Sequence, residues 1–193
     1  MCKPDPSLEQ RSWKRAPART TNLLKQALKN RKGETMPKIT TFLTFNNQAE
    51  EAAKFYTSIF KNSKILNLNR YGEGAPMPAG TVMSATFVLD GQEFYALNGG
   101  PAFTFSEGIS LYVNCETQQE VDDYWDKLLA GSNDTGQCGW LKDKFGVSWQ
   151  IIPKQLGELM GDPNPQKAHS VMQAMLKMKK IDIAELQRAH EQV

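Results

Sequence analysis

AEEAAKFYTSIF, Ala49 to Phe60, and QQEVDDYWDKLL, Gln118 to Leu129, are two stretches of one pattern. Laid over each other at a shift of 69 positions, Glu51 falls on Glu120, Phe55 on Tyr124, Tyr56 on Trp125 and Ile59 on Leu128. Ala52, Phe55, Tyr56 and Ile59 recur at helical spacing, so each stretch reads as an amphipathic helix with its aromatic pair toward a core. Thr117, three residues ahead of Glu120, supplies a capping box for the second helix. Tyr56 and Trp125 are expected inside.

Around each helix the chain reads as strands. Ile39–Phe45 is β-branched and aromatic. Ile65–Tyr71 follows, then a Pro/Gly loop from Gly72 to Gly80. Thr81–Leu89 and Glu93–Asn98 are strands joined by Asp90-Gly91, a hairpin signal. The second pass has strands at Ile109–Val113, Gln137–Lys142 and Val147–Ile152, the last two around a turn at Asp143 to Gly146. The shift of 69 sets Thr41 on Ser110, and DGQEFYAL overlays FGVSWQII with Gly91 on Gly146. A repeated strand–helix–strands order predicts an α+β fold of two paired βαβββ modules, about 37–100 and 106–155, within a domain over 36–158. Helices are expected at Gln166–Met178 and Ile183–Gln192, so that 159–193 packs on the domain or on a second subunit.

The 193 residues carry a net charge of +2, 40% hydrophobic and 23% charged residues, as expected of a globular chain. Residues 1–35 hold nine Lys/Arg against three Asp/Glu, leaving 14 and 18 for the rest. The basicity is therefore a tail, expected to be disordered apart from a short basic helix at Thr21–Lys32, and it gives no ground for a nucleic-acid partner. An Arg-rich, acid-poor start also fits a transit peptide. Lys32-Gly33-Glu34 can be encoded by a purine-rich string suited to ribosome binding, which predicts translation from Met36. No apolar run reaches the roughly 18–20 residues a membrane span needs, and no membrane partner is expected. Cys2, Cys115 and Cys138 form no disulfide framework, which points to a reducing, cytoplasmic setting.

AEEAAKFYTSIF, FVLDGQEFYALNGGPAF and CGWLKDKFGVSWQIIP resemble the PhnB-like branch of the vicinal-oxygen-chelate (glyoxalase/bleomycin-resistance/dioxygenase) superfamily. Its members are often catalogued as 3-demethylubiquinone-9 3-methyltransferase domain proteins. The resemblance runs from Pro37 to Gln192. It implies a curved, cup-shaped mixed sheet of eight strands, a small-molecule cleft between the modules, and a homodimer. Metal-using relatives place ligands on the first and last strand of each module, positions that fall here on Thr41, Ser110, Tyr95 and Gln150. None is an imidazole or an anion, and His169 and His190 lie outside the modules, on the C-terminal helices. No metal and no cofactor is therefore expected.

Thr41, Tyr95, Asn98, Ser110, Tyr112, Cys138 and Gln150 are the cleft candidates. They can orient a small organic ligand by hydrogen bonds, or satisfy one another in a filled cup. Strand alternation groups Ser110 with Tyr112 and Ser148 with Gln150. Asn98 either reaches a ligand or stops its strand. Cys138 beside Trp140 suggests a nucleophile, but its neighbourhood offers only Lys142 or Lys144 to activate it, so a packed thiol is preferred. Trp149 belongs to the opposite face and to the core, and Asp143 with Gly146 to the hairpin. Met172, Met175 and Met178 form a packing stripe, with His169 and His190 at the surface. Catalytic residues are not assigned. The alternatives to ligand binding are an enzyme acting on a small oxygenated compound, with Cys138, Tyr95, Tyr112 or Glu93 as candidates, and the methyltransferase of the catalogue name. Against the latter, Asn98-Gly99-Gly100 follows a hairpin strand and is not followed by a helix.

Overall fold

The computed structural model describes residues 38–193. The expectations for the basic extension and for a start at Met36 lie outside the described residues. The first module consists of β1 (Thr41–Phe45), α1 (Ala49–Ile59), β2 (Lys64–Arg70), β3 (Val82–Leu89) and β4 (Gln92–Asn98). The second consists of β5 (Leu111–Cys115), α2 (Gln118–Leu129), β6 (Asp134–Thr135), β7 (Trp140–Lys142) and β8 (Ser148–Pro153). Three helices close the chain: α3 (Lys154–Met160), α4 (Pro165–Met175) and α5 (Ile183–Glu191).

The duplication is real at the level of topology. The sheets run β1-β4-β3-β2 and β5-β8-β7-β6, and in each the first strand lies parallel to the last. Ala52 and Val121, Tyr56 and Trp125 hold corresponding buried positions on α1 and α2. Asp90 and Gly91 both have positive φ (45° and 82°), the geometry a two-residue hairpin turn demands. Glu120 N–H donates to Thr117 Oγ1 at 3.2 Å while Glu120 Oε2 accepts from Glu116 N–H at 2.9 Å, completing the expected box one residue further out.

The strands depart from the expected shift by one residue. Thr41 pairs with Phe94 and Leu111 with Trp149, so Thr41 corresponds to Leu111 and not to Ser110. The connection from Cys115 to the cap at Thr117 is one residue shorter than that from Phe45 to the cap at Gln48. A slip of one residue exchanges the faces of a strand. Thr41 therefore shares the core-side parity of Leu43 and Phe45, and Phe42 takes the outward place that Tyr112 holds in the second module. Two elements had no periodic signal in the sequence. β6 is two residues in a polar loop, and α3 continues directly from β8.

The two helix-bearing sheet faces share one core. Tyr56 on α1 packs against Phe87 of β3 at 6.3 Å between ring centroids and against Trp149 of β8 at 5.4 Å. Phe60 stacks on Trp149, and Phe45 meets Phe105 and Phe145 edge-on. A sheet whose helix side fronts this core turns its other side outward. The outward faces of the two sheets consequently diverge.

The C-terminal helices form a second core of Leu156, Val171, Met178, Ile181 and Leu186 around Ile152. Ile152 shares the outward parity of Ser148 and Gln150, so this segment roofs one end of the second sheet's outer face. Cys138 and Gly139, both at positive φ (58° and 84°), aim consecutive N–H groups at the carbonyls of Met178 (2.8 Å) and Lys179 (2.7 Å). Cys138 is thus a docking residue of the C-terminal segment, its Sγ 3.7 Å from the Met175 carbonyl. α4 stops at Met175, and Met178 packs from the turn beyond it. His169 is exposed. His190, expected at the surface, is instead half-buried and bonded to Asp162 Oδ2 at 2.8 Å. Among the described residues, no helix is long and apolar enough to cross a membrane.

Candidate functional site

The outward face of the first sheet carries Phe42, Thr86 and Tyr95 in one row, with Asn67 beyond Thr86. Phe42 is 56% exposed, its ring 6.1 Å from that of Tyr95. Tyr95 Oη donates to Glu93 Oε1 at 2.9 Å. Asn67 donates to Asn69 Oδ1 at 2.9 Å, and Asn69 to Ser84 Oγ at 3.0 Å. The face is thus a set of neutral hydrogen-bonding groups with one acid and two aromatic rings.

On the second sheet Trp140, Gln150 and Tyr112 stand side by side, with Lys142 beside Ser148 in the next row. Tyr112 is 54% exposed. Gln150 Nε2 donates to Ser110 Oγ at 2.7 Å, so these two candidates satisfy one another while the Gln150 carbonyl keeps its place on the face. Ser110 shares a face with Tyr112, as strand alternation required, and the pairing of β5 with β8 brings Gln150 beside them. Burial holds the Tyr112 phenol above its usual range, favouring its protonated form.

The other candidates separate. Thr41 lies on the core-side parity of β1, and Cys138 under the C-terminal segment. Asn98 is turned inward: its Oδ1 accepts from Ala49 N–H at 2.8 Å and its Nδ2 donates to the Val82 carbonyl at 3.0 Å. Gln48, the N-cap of α1, makes no side-chain cap bond. Asn98 provides from a distant strand what the local sequence lacks. The N–H groups of Gly99 and Gly100 are likewise spent on the carbonyls of Phe45 and Asn46.

Asp143 has a second part that the sequence did not disclose. As expected it sets the turn, its Oδ1 accepting from Phe145 N–H at 2.8 Å and Val147 N–H at 3.1 Å. Its Oδ2 also accepts from Trp149 Nε1–H at 2.8 Å and from Tyr56 Oη–H at 2.7 Å, across the junction of the modules. Burial pushes this carboxyl up, opposed by its four donors. Trp149 and Tyr56 are buried, as expected. Burial also pushes the Cys115 thiol up to about 12.

The four positions to which the resemblance carried a metal, Thr41, Tyr95, Ser110 and Gln150, offer a hydroxyl, a phenol, a hydroxyl and an amide, and Thr41 and Ser110 are out of register with each other. This donor set does not fit a divalent cation. Among the described residues, no group of three or more His, Cys, Asp or Glu side chains is placed to hold one.

Comparison with known proteins matches residues 37–152 to a family described as 3-demethylubiquinone-9 3-methyltransferase. The chain is similar to a solved Bacillus cereus PhnB protein provisionally given that same methyltransferase name, with 44% identity and a TM-score of 0.56, over 61% of this chain and 99% of that one. It also resembles a solved Pseudomonas aeruginosa protein at 22% identity and a TM-score of 0.50, over 61% and 98% of the two chains. A Frankia glyoxylase/bleomycin resistance protein/dioxygenase domain shares 17% identity over 62% and 93%, with a TM-score of 0.42. No curated protein matches. The family match stops at Ile152, short of the helices to which the sequence resemblance had been extended. With the match covering more than half of its length, the chain belongs to the 3-demethylubiquinone-9 3-methyltransferase family, in its PhnB-like branch.

Proposed function

We propose that this protein binds a small organic molecule in a cup shared by two copies of the chain, the outward face of the first sheet of one copy meeting that of the second sheet of the other. One observation carries the reading. β1 and β5 are edge strands of their sheets, they occupy corresponding places in the repeat, and each bears a half-exposed aromatic on its outward face, Phe42 and Tyr112. Unpaired strand edges invite pairing. A two-fold axis that sets β1 against β5 of a second copy does so twice, closing both edges and covering both rings. The cup then combines Tyr95, Glu93, Asn67, Asn69 and Ser84 from one copy with Trp140, Gln150, Tyr112 and Ser148 from the other. The free thiols of Cys115 and Cys138 fit a reducing, cytoplasmic location.

Sedimentation equilibrium and a thermal-shift ligand screen test this together. The expected result is a dimer whose ligand binding is lost, with secondary structure kept, in the double variant Phe42→Asp, Tyr112→Asp. Gln150→Leu with Ser110→Val weakens the same ligands. A wild-type monomer at micromolar concentration that binds ligand fully overturns the shared cup. The family's methyltransferase name suggests a second reading. The glycine turn weighs against it, since its N–H groups are already taken. Calorimetry with S-adenosylmethionine decides, and saturable binding followed by methyl transfer establishes the enzyme.

A further inference from the structure

The second sheet's outer face holds a hollow of about 360 Å³, lined by Glu107, Asp134, Gln137, Trp140, Lys142 and Ser148. Ser148 is only 5% exposed, and no described residue takes or gives a hydrogen bond at its hydroxyl. That hydroxyl lines the hollow with its donor and acceptor uncommitted to the described residues. It is the group that marks this hollow as a site. Above it, Lys142 Nζ lies 2.6 Å from Glu107 Oε1 and 3.2 Å from Asp134 Oδ2. Two carboxylates surround one ammonium, so the rim carries a net charge of −1, and each carboxylate has a second oxygen outside the contact. The indole of Trp140 supplies a flat wall beside them, and the face of an indole attracts cations.

Building on the shared cup, we infer that the ligand is a flat organic cation. Its planar part lies on Trp140, its positive group meets Glu107 and Asp134, and a donor or acceptor on it completes Ser148. An anionic ligand would have to draw Lys142 away from two carboxylates, and a neutral one would leave the rim's excess charge unanswered. In the monomer that rim is open, Glu107 being 78% and Asp134 60% exposed, and its charge is screened by water. Closure by the second copy removes water and strengthens the selectivity.

Three molecules of one shape and different charge test the inference: benzamidine, benzamide and benzoate. Binding to the full-length protein is followed by the indole N–H signals in ¹H–¹⁵N spectra, with Trp140→Phe identifying the relevant peak. Benzamidine is expected to shift the Trp140 signal and to bind about tenfold more tightly than benzamide, with benzoate weakest. Glu107→Gln with Asp134→Asn, both at exposed positions, should remove the preference of benzamidine over benzamide, and Ser148→Ala should weaken both. Equal or tighter binding of benzoate, or no shift of the Trp140 signal with any of the three, overturns the inference. Binding at Trp140 without charge preference removes the cation and leaves the cup standing. Loss of the dimer in sedimentation removes the cup itself.

Discussion

Replacing Tyr56 with Phe isolates the buried hydrogen bond between the two modules. The ring keeps its contacts with Phe87, Phe145 and Trp149, and only the hydroxyl that donates to Asp143 Oδ2 at 2.7 Å is lost. Asp143 is 3% exposed, so no water replaces the missing donor at low cost. A hydrogen bond to a charged group contributes about 1.5–3 kcal/mol. The remaining donors, Trp149 Nε1–H and two backbone N–H groups, stay in place, which argues for the lower half of that range. For a unit of this size each kcal/mol shifts Tm by about 2–4 °C, so a fall of roughly 3–9 °C is expected. Urea unfolding should show a lower midpoint with an unchanged slope, since the same surface is exposed. In a double-mutant cycle with Asp143→Asn the two substitutions should couple by at least about 0.5 kcal/mol. An unaltered midpoint, or strict additivity, would show that the Tyr56–Asp143 bond contributes nothing to holding the modules together.

Gly139→Ala should detach or distort the C-terminal helices. An added Cβ would lie 2.7 Å from Ile152 Cδ1 and 2.8 Å from the Ile151 carbonyl, at a φ of +84° that L residues rarely adopt. Hydrogen exchange should rise over 178–191 more than in either sheet, and an unchanged pattern contradicts the docking role. The same segment should loosen first in acid. Asp122 is held below its usual range by hydrogen bonding to Lys180, and Asp162 by the Asn164 N–H and then His190. Both carboxylates have lower pKa values folded than unfolded. Their stabilisation is therefore complete above about pH 4, the unfolded value, and is lost as pH falls through the folded one. Exchange measured from pH 6 to pH 3 should show α5 opening ahead of the modules, and Asp122→Asn with Asp162→Asn should abolish that difference.

Much of the fold was legible because its signals are local and periodic. The aromatic pairs of α1 and α2, the Asp90-Gly91 turn and the Thr117–Glu120 box each announce themselves within one or two turns of chain. The candidate site was legible only where alternation along a single strand decides the face, as for Ser110 with Tyr112 and Ser148 with Gln150. Thr41 was assigned by carrying the helix register across a connection whose length differs by one residue between the modules. Nothing within β1 itself reveals that difference. Phe42 could have been found by the same alternation, since Leu43 and Phe45 mark the opposite face as buried.

The amino-acid order settled the duplication, the strand–helix sequence of each half and the burial of Tyr56, Trp125 and Trp149, because helical and strand periods are properties of neighbouring residues. Asn98 capping a helix 49 residues away, Asp143 tying Tyr56 to Trp149, Cys138 and Gly139 clasping the C-terminal segment, and the divergence of the two outer faces were decided only by tertiary packing. Each depends on which distant backbone or side chain arrives alongside, and a polar group shows no preference for a distant partner until packing removes the water that would otherwise satisfy it.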